Sequence, residues 1–218
     1  MDIFELEKDS YLEAMAEPIG RIAHDYNNII AAIEGYCELA LNGLEEGSQI
    51  YRDINEIKQV VEEAAKFNRQ LLFFSRRKNI TKEEVDLSYF IESNKYEEYV
   101  SPFTLKFELE SVKAAINKEQ INDLIMILLK NAMEASSAQG IIKIKTGRDI
   151  YPFISITDFG TGIKKENLSK IFYPYFTDKE GHRGLGLSLA YGIISRHNAK
   201  IIVNTEYGKG SEFKILFL

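Results

Sequence analysis

A single cysteine, Cys37, stands among 218 residues. That excludes an intramolecular disulfide and a cysteine-based zinc cage, and leaves Cys37 as a small core residue. Three histidines without an HExxH spacing give no ground for a structural metal site either. No uncharged apolar run approaches the ~20 residues that cross a bilayer. The opening MDIFELEKDS is acidic and polar, not basic and then apolar, so no signal peptide is expected. Excess positive charge is also lacking. With 27 Lys and Arg against 33 Asp and Glu, the net charge of -6 repels nucleic acid and acidic membrane surfaces. The expectation is a cytoplasmic chain with neither a nucleic-acid partner nor a membrane segment. What is present, 45% hydrophobic and 28% charged residues, is ordinary for a folded protein of one or two domains.

The chain has two rhythms. Residues 10 to 78 carry apolar side chains at steps of three and four. Leu12, Met15, Ile19, Ile22, Tyr26, Ile29, Ile33, Tyr36 or Cys37, Ala40 and Leu44 form one seam. Ile50, Ile54, Ile57, Val61, Ala64, Phe67, Leu71 and Phe74 form a second. Each predicts a long amphipathic helix, and NGLEEGS between them breaks the chain at Gly43 and Gly47. Pro18 either kinks the first helix or marks its first turn. Two antiparallel helices cannot shelter such faces alone, so two hairpins pairing into a homodimeric four-helix bundle are expected. From residue 85 the pattern becomes β-branched and aromatic. LKFELE, VKAAIN, IIKIKTG, PFISITD, AKIIVNT and SEFKILF predict strands. KEQINDLIMILLKNAMEASS, a short KENLSKIF and LSLAYGIISRH predict helices laid on one face of the sheet. The fold class is therefore α plus α/β, with a helical hairpin over 1–80 and an α/β domain over 81–218. The charged stretch SRRKNITKEEVDL is the joint.

Chemistry collects at a few places. IAHDYNNIIAAIEGY sets His24, Asp25, Asn27 and Asn28 inside an otherwise apolar helix, either as a solvated face or as a reactive one. His24 and Asn28 are four apart and share a face; Asp25 is about 100° round. A carboxylate accepting the imidazole N–H fixes the tautomer and aims the other nitrogen outward. In the second domain, DFGTGI follows a strand. Asp158 offers an acceptor there, and Gly160 and Gly162 let backbone approach a ligand. RGLGLS puts Gly184 and Gly186 at the mouth of a helix, whose first N–H groups can face a phosphate. The segment between these glycine pairs could close over a nucleotide. Asn131, in LLKNAMEA, is either a buried amide satisfied by backbone or an oxygen ligand for Mg2+.

Together these segments resemble the transmitter core of a bacterial two-component sensor histidine kinase, in the subtype whose phosphoacceptor box reads HDFNN. HDYNN, LLKNAMEA, DFGTGI, IFYPYFTDK and GLGLS match the H, N, G1, F and G2 boxes of that family, in order and at similar spacings. RQLLFFSRR resembles the end of that subtype's second helix. The resemblance implies an ATP-binding sandwich of the type shared by Hsp90, type II topoisomerases and MutL. It implies Asp158 on the adenine amino group, Asn131 on Mg2+, and Gly160, Gly162, Gly184 and Gly186 shaping pocket and lid. Thr177, Lys179, Arg183 and Leu185 join the nucleotide-contacting set on the same ground. His24 would attack the γ-phosphate of ATP with Asp25 beside it, then pass the phosphoryl group to an aspartate of a response-regulator receiver domain. Asn28 would orient water for dephosphorylating that partner. The joint near residues 76 to 86 would be mobile.

Three departures accompany the match. Ile127 stands where the family has a second asparagine, which implies weaker Mg2+ binding or phosphoryl transfer. His182 replaces a glycine, which implies a stiffer lid. Asn198-Ala199 replaces a glycine pair after the last helix. The alternative they raise is a phosphotransfer or phosphatase module with a degenerate ATP site. His182 and His197 are given no catalytic role: His182, in the lid, could touch phosphate, and His197, near a helix C-terminus, stands where a cation is favoured.

Overall fold

The computed structural model describes residues 2–6, 10–75, 80–137, 140–179 and 182–218. The chain divides into two units, Ser10–Arg76 and a second formed by Met1–Asp9 with Arg77–Leu218.

The helical unit is α1 (Ser10–Asn42) and α2 (Gln49–Ser75). Gly47 takes φ +85° at the turn, a backbone region open to glycine at little cost. Ser48 Oγ then accepts the Tyr51 N–H at 3.2 Å and caps α2. Pro18 lies inside α1, so of the two sequence readings the helix does not start there. The contact row differs from the expected seam. Among the described residues, Ala23, Ile30 and Cys37, seven apart, are the buried ones of α1, with Val61 and Asn68 buried on α2. Ile22, Tyr26 and Ile29 are instead 55–57% exposed, and Ile33 and Tyr36 are exposed with them. A seven-residue repeat gives only a narrow seam, so α2 covers the Ala23 row and leaves the larger side chains of the neighbouring row bare. The side chains of Leu12, Met15 and Phe67, and all those of RQLLFFSRR, lie outside those described.

The second unit holds a six-stranded sheet in the order β1-β7-β8-β6-β5-β3 and a two-stranded sheet, β2-β4. Its strands are β1 (Asp2–Leu6), β2 (Glu83–Asp86), β3 (Thr104–Leu109), β4 (Lys113–Ile116), β5 (Ile141–Arg148), β6 (Pro152–Asp158), β7 (Ala199–Glu206) and β8 (Gly210–Phe217). Its helices are α3 (Leu87–Ser93), α4 (Tyr96–Val100), α5 (Lys118–Ala135) and α6 (Gly186–Arg196). Only the β3–β5 pair is parallel in the large sheet. α5 and α6 pack on each other and against β6 and β7. Ile121, Leu124, Ile125, Leu128 and Leu129 of α5 are buried, as are Ile142, Ile144, Ile154, Ile156, Ile201, Val203 and Ile215 of the sheet. Each such side chain contributes about 1.5–3 kcal/mol of transfer free energy, opposed by ordering entropy. That core fixes the C-terminal half of α5 beside the end of β6.

Four details depart from the sequence reading. Residues 2–6 do not belong with the hairpin: β1 adds antiparallel to the edge of β7, Phe4 opposite Val203. VKAAIN supplies β4, which leaves the main sheet to pair with β2. KENLSKIF is not a helix beyond the 3-10 turn at Lys165–Asn167. Leu168, Ile171 and Phe172 are buried there in successive turns, and so short a segment gains little from helix propagation. Finally α3 and α4 lie in a stretch for which the sequence reading named no element. Asp86 caps α3 by accepting the Tyr89 N–H at 3.1 Å. Residues 76–79 of the expected joint lie outside the described residues.

Candidate functional site

On the helical unit, His24, Asp25 and Asn28 project from one side of α1 into solvent. The His24 side chain is 69% exposed, and Nδ1 lies 3.4 Å from Asp25 Oδ1. With its hydrogen on Nδ1, the ring donates to that carboxylate in a loose pair and carries its lone pair on Nε2. Directly behind, α2 contributes a residue the sequence did not single out. Asn68, 2% exposed, donates from Nδ2 to the Ala23 carbonyl and to Asn27 Oδ1, both at 2.6 Å. Asn27 therefore joins the two helices. The amide fastens α1 at the residue before His24 and fixes the axial register of the hairpin there. A polar residue at a helical position on the α2 seam, flanked by Ala64 and Leu71, was the available signal.

On the sheet unit, the C-terminal half of α5 is the hub. A Cβ on Gly186 would meet Asn131 Oδ1 and Ile127 Cγ2, each at 3.6 Å, so the mouth of α6 faces that row of α5. The Ala135 carbonyl accepts the Thr161 N–H at 2.9 Å, and a Cβ on Gly160 would lie 2.2 Å from it. Gly162, at φ +64°, presses on the Glu206 carbonyl just as closely. Both positions require glycine. Asp158 closes the end of β6. It is 4% exposed, and Oδ1 accepts the Gly160 N–H at 2.9 Å. Burial pushes its carboxyl up, opposed by the N–H donors of Gly160 and Ser211 and by the charge of Lys179. Sequence reading missed Thr205, Gly210 and Ser211. Thr205 Oγ1 accepts the Ile163 N–H and lies 2.9 Å from Ser211 Oγ. A Cβ on Gly210 would strike the Asp158 carbonyl oxygen. The GKGS run between two strands was the trace of this close packing.

The remaining expected contacts fall on the segment leading to α6. Thr177 Oγ1 accepts the Lys179 N–H at 3.1 Å. Lys179 Nζ and His182 Nε2 approach opposite oxygens of Glu134 on α5, at 3.4 and 3.3 Å. Gly184, at φ +63°, would drive a Cβ into the Phe176 carbonyl. Arg183 is exposed, whereas Leu185 is buried at the start of α6, where no side chain caps the helix. A nucleotide here would thus find a buried acceptor, uncapped helix N–H groups and a lysine. Mg2+ also fits. Asn131 Nδ2 is buried without a partner, and the amide can turn to offer its oxygen. Among the described residues no cluster of three or more His, Cys, Asp or Glu could hold a metal.

Residues 116–218 match the family described as histidine kinase-, DNA gyrase B- and HSP90-like ATPase. Over 97% of its length the chain is 33% identical to the sensor kinase CckA of Brucella abortus, covering 25% of that protein. Over 94% it is 30% identical to the signal transduction histidine-protein kinase AtoS of Escherichia coli, covering 35%. The chain belongs to the sensor histidine kinases. It spans about a quarter to a third of these curated relatives. At the level of fold, full-length ShkA, solved in complex with AMPPNP, superimposes with a TM-score of 0.71 at 16% identity, over 91% of this chain and 44% of that one. No described helix of this transmitter core is long and apolar enough to cross a membrane.

His197 corrects the sequence expectation. Its Nε2 accepts the Asn117 N–H at 3.0 Å, so that nitrogen carries no proton, and Nδ1 donates to the Ile193 carbonyl at 2.9 Å. Asn117 caps α5, and Lys82 Nζ donates to the His197 carbonyl at 2.6 Å. The ring is a neutral clamp between the end of α6 and the start of α5. Burial, first, and then the charges of Lys82 and Arg196 hold its pKa below the ordinary 6.5, against the Ile193 bond. The unfolded chain therefore binds more protons as pH falls through 6.5. The clamp stabilises fully above that value and weakens below it, levelling off beneath the lowered folded pKa. Urea midpoints of the transmitter core are expected to fall between pH 7.5 and 5.5, with a shallower fall in His197→Gln. An equal slope in both proteins would contradict the clamp.

Proposed function

We propose that the chain is an autokinase. ATP bound at Asp158 would phosphorylate His24, and the phosphoryl group would pass to an aspartate of a response-regulator receiver domain. The buried Asp158 at the end of β6 carries this reading, because the C-terminal half of α5 sets it near Asn131 and the uncapped mouth of α6. His24 Nε2 attacks the γ-phosphorus in line as the bond to the β–γ bridging oxygen breaks and ADP leaves. Asp25 accepts the Nδ1–H and stabilises the positive ring that develops. Lys179 and the N–H groups at Gly186 orient the phosphates. Mg2+, when bound at Asn131, neutralises phosphate charge. Receiver transfer then breaks the N–P bond and forms an acyl phosphate. Asn28, one turn beyond His24 and exposed, would orient water for removing the phosphoryl group from the receiver.

The exposed row of Ile22, Tyr26, Ile29 and Ile33 supports pairing of two hairpins into a four-helix bundle, since a bare apolar stripe favours a second copy of itself. Ile127 supports one competing reading. Its methyl group flanks Gly186 beside Asn131 in place of an oxygen donor, which favours a phosphotransfer or phosphatase module over an active kinase.

Incubation with γ-labelled ATP and Mg2+ separates the two. Autokinase activity yields an acid-labile, base-stable label that vanishes in His24→Ala. A label surviving in that variant contradicts the assignment, and an unlabelled wild-type protein favours the competing module. Asn28→Ala is expected to slow phosphate release from a phosphorylated receiver at least about tenfold while His24 still takes label. An unchanged release rate removes Asn28 from that role.

A further inference from the structure

Glu134 takes no part in the steps above, yet it lies on the α5 row that faces the cleft, one turn beyond Asn131. Lys179 Nζ is 3.4 Å from one carboxylate oxygen; His182 Nε2, at 3.3 Å, and Lys130 Nζ, at 3.9 Å, approach the other. Two of these groups come from the segment before α6 and one from α5 itself. A carboxylate on the wall of a phosphate-binding cleft repels a polyphosphate at close range, and the repulsion is strong where water is partly excluded. Here the same carboxylate holds the lysine assigned to the phosphates. A glycine at position 182 could not make the second contact.

We propose that Glu134 is an internal stand-in for nucleotide phosphate. In the free chain it occupies Lys179 and His182, and a polyphosphate binds by taking them from it. The proposal rests on the nucleotide reading of the cleft. It makes Glu134 a positioning residue that acts through Lys179. The adenine end of the site, at Asp158, gains nothing from its removal, whereas the phosphate end does. Free energy spent on breaking the Glu134 contacts is subtracted from the affinity for ATP, as in any competition between a bound and a resting arrangement.

Calorimetry of the whole chain with adenosine, ADP and ATP, each in EDTA and in Mg2+, tests this with Glu134→Gln, which keeps the shape and removes the charge. ATP is expected to bind about fivefold tighter than to wild type, ADP to gain less, and adenosine to bind unchanged. In a Lys179→Met background the same substitution is expected to raise the ATP-to-adenosine ratio by less, since only the His182 contact and the bare charge of the carboxylate remain to be removed. An unchanged ratio in Glu134→Gln overturns the proposal. So does weaker ATP binding confined to Mg2+, which would put the carboxylate on the cation. If wild type binds adenosine and ATP not at all, the nucleotide reading falls and this proposal with it.

Discussion

A carboxylate buried at the end of a central strand is expensive, and the sheet unit is arranged around that cost. Asp158 is almost sealed from solvent, and burial raises its pKa. The N–H groups of Gly160 and Ser211, with Lys179 behind them, return part of what water would have given. Those donors reach it only because Gly160 and Gly210 lack a Cβ and let three backbone segments close to contact distance. A buried acceptor held in this way is pre-organised for a small polar ligand with a donor to offer. The proposed function takes this acceptor as the adenine end of a nucleotide site.

The helical unit solves a different problem. Its reactive edge must be exposed and yet held still. Asn68 does the holding from behind, through two short bonds on either side of His24 in sequence, to Ala23 and Asn27. The narrow buried row leaves large apolar side chains uncovered on the adjoining face. The buried row and the bare apolar row thus lie on different sides of one helix, and in the proposed bundle a second copy would cover the latter while His24 remains in solvent.

Much of this was legible in the sequence because it is written in local patterns. Five motifs in order, the change from helical to alternating periodicity, and glycines at DFGTGI and RGLGLS pointed to the two-part architecture and to the residues gathered round the end of β6. The rest depends on pairing at a distance. DIFEL carries no sign of its partner; β1 is a strand only because β7 offers an edge. The seam through Ile22 and Tyr26 obeys helical spacing as well as the Ala23 row does, and periodicity alone cannot tell which row a neighbouring helix covers. His197 looked cationic from its place at a helix end, but a single N–H from the cap of α5 reverses that. Glu134 was invisible because an acid on a helix is ordinarily solvated; only the fold brings Lys179 and His182 to it.

The claim on which the rest stands is that Asp158 receives the amino group of an adenine ring. The most direct measurement is calorimetric titration of Asp158→Asn with adenosine and with inosine, whose ring carries an oxygen in place of that amino group. The account predicts that wild type binds adenosine and not inosine, and that Asp158→Asn loses adenosine while its thermal unfolding stays cooperative. Equal binding of the two nucleosides by wild type, or undiminished adenosine affinity in a folded Asp158→Asn, would contradict it.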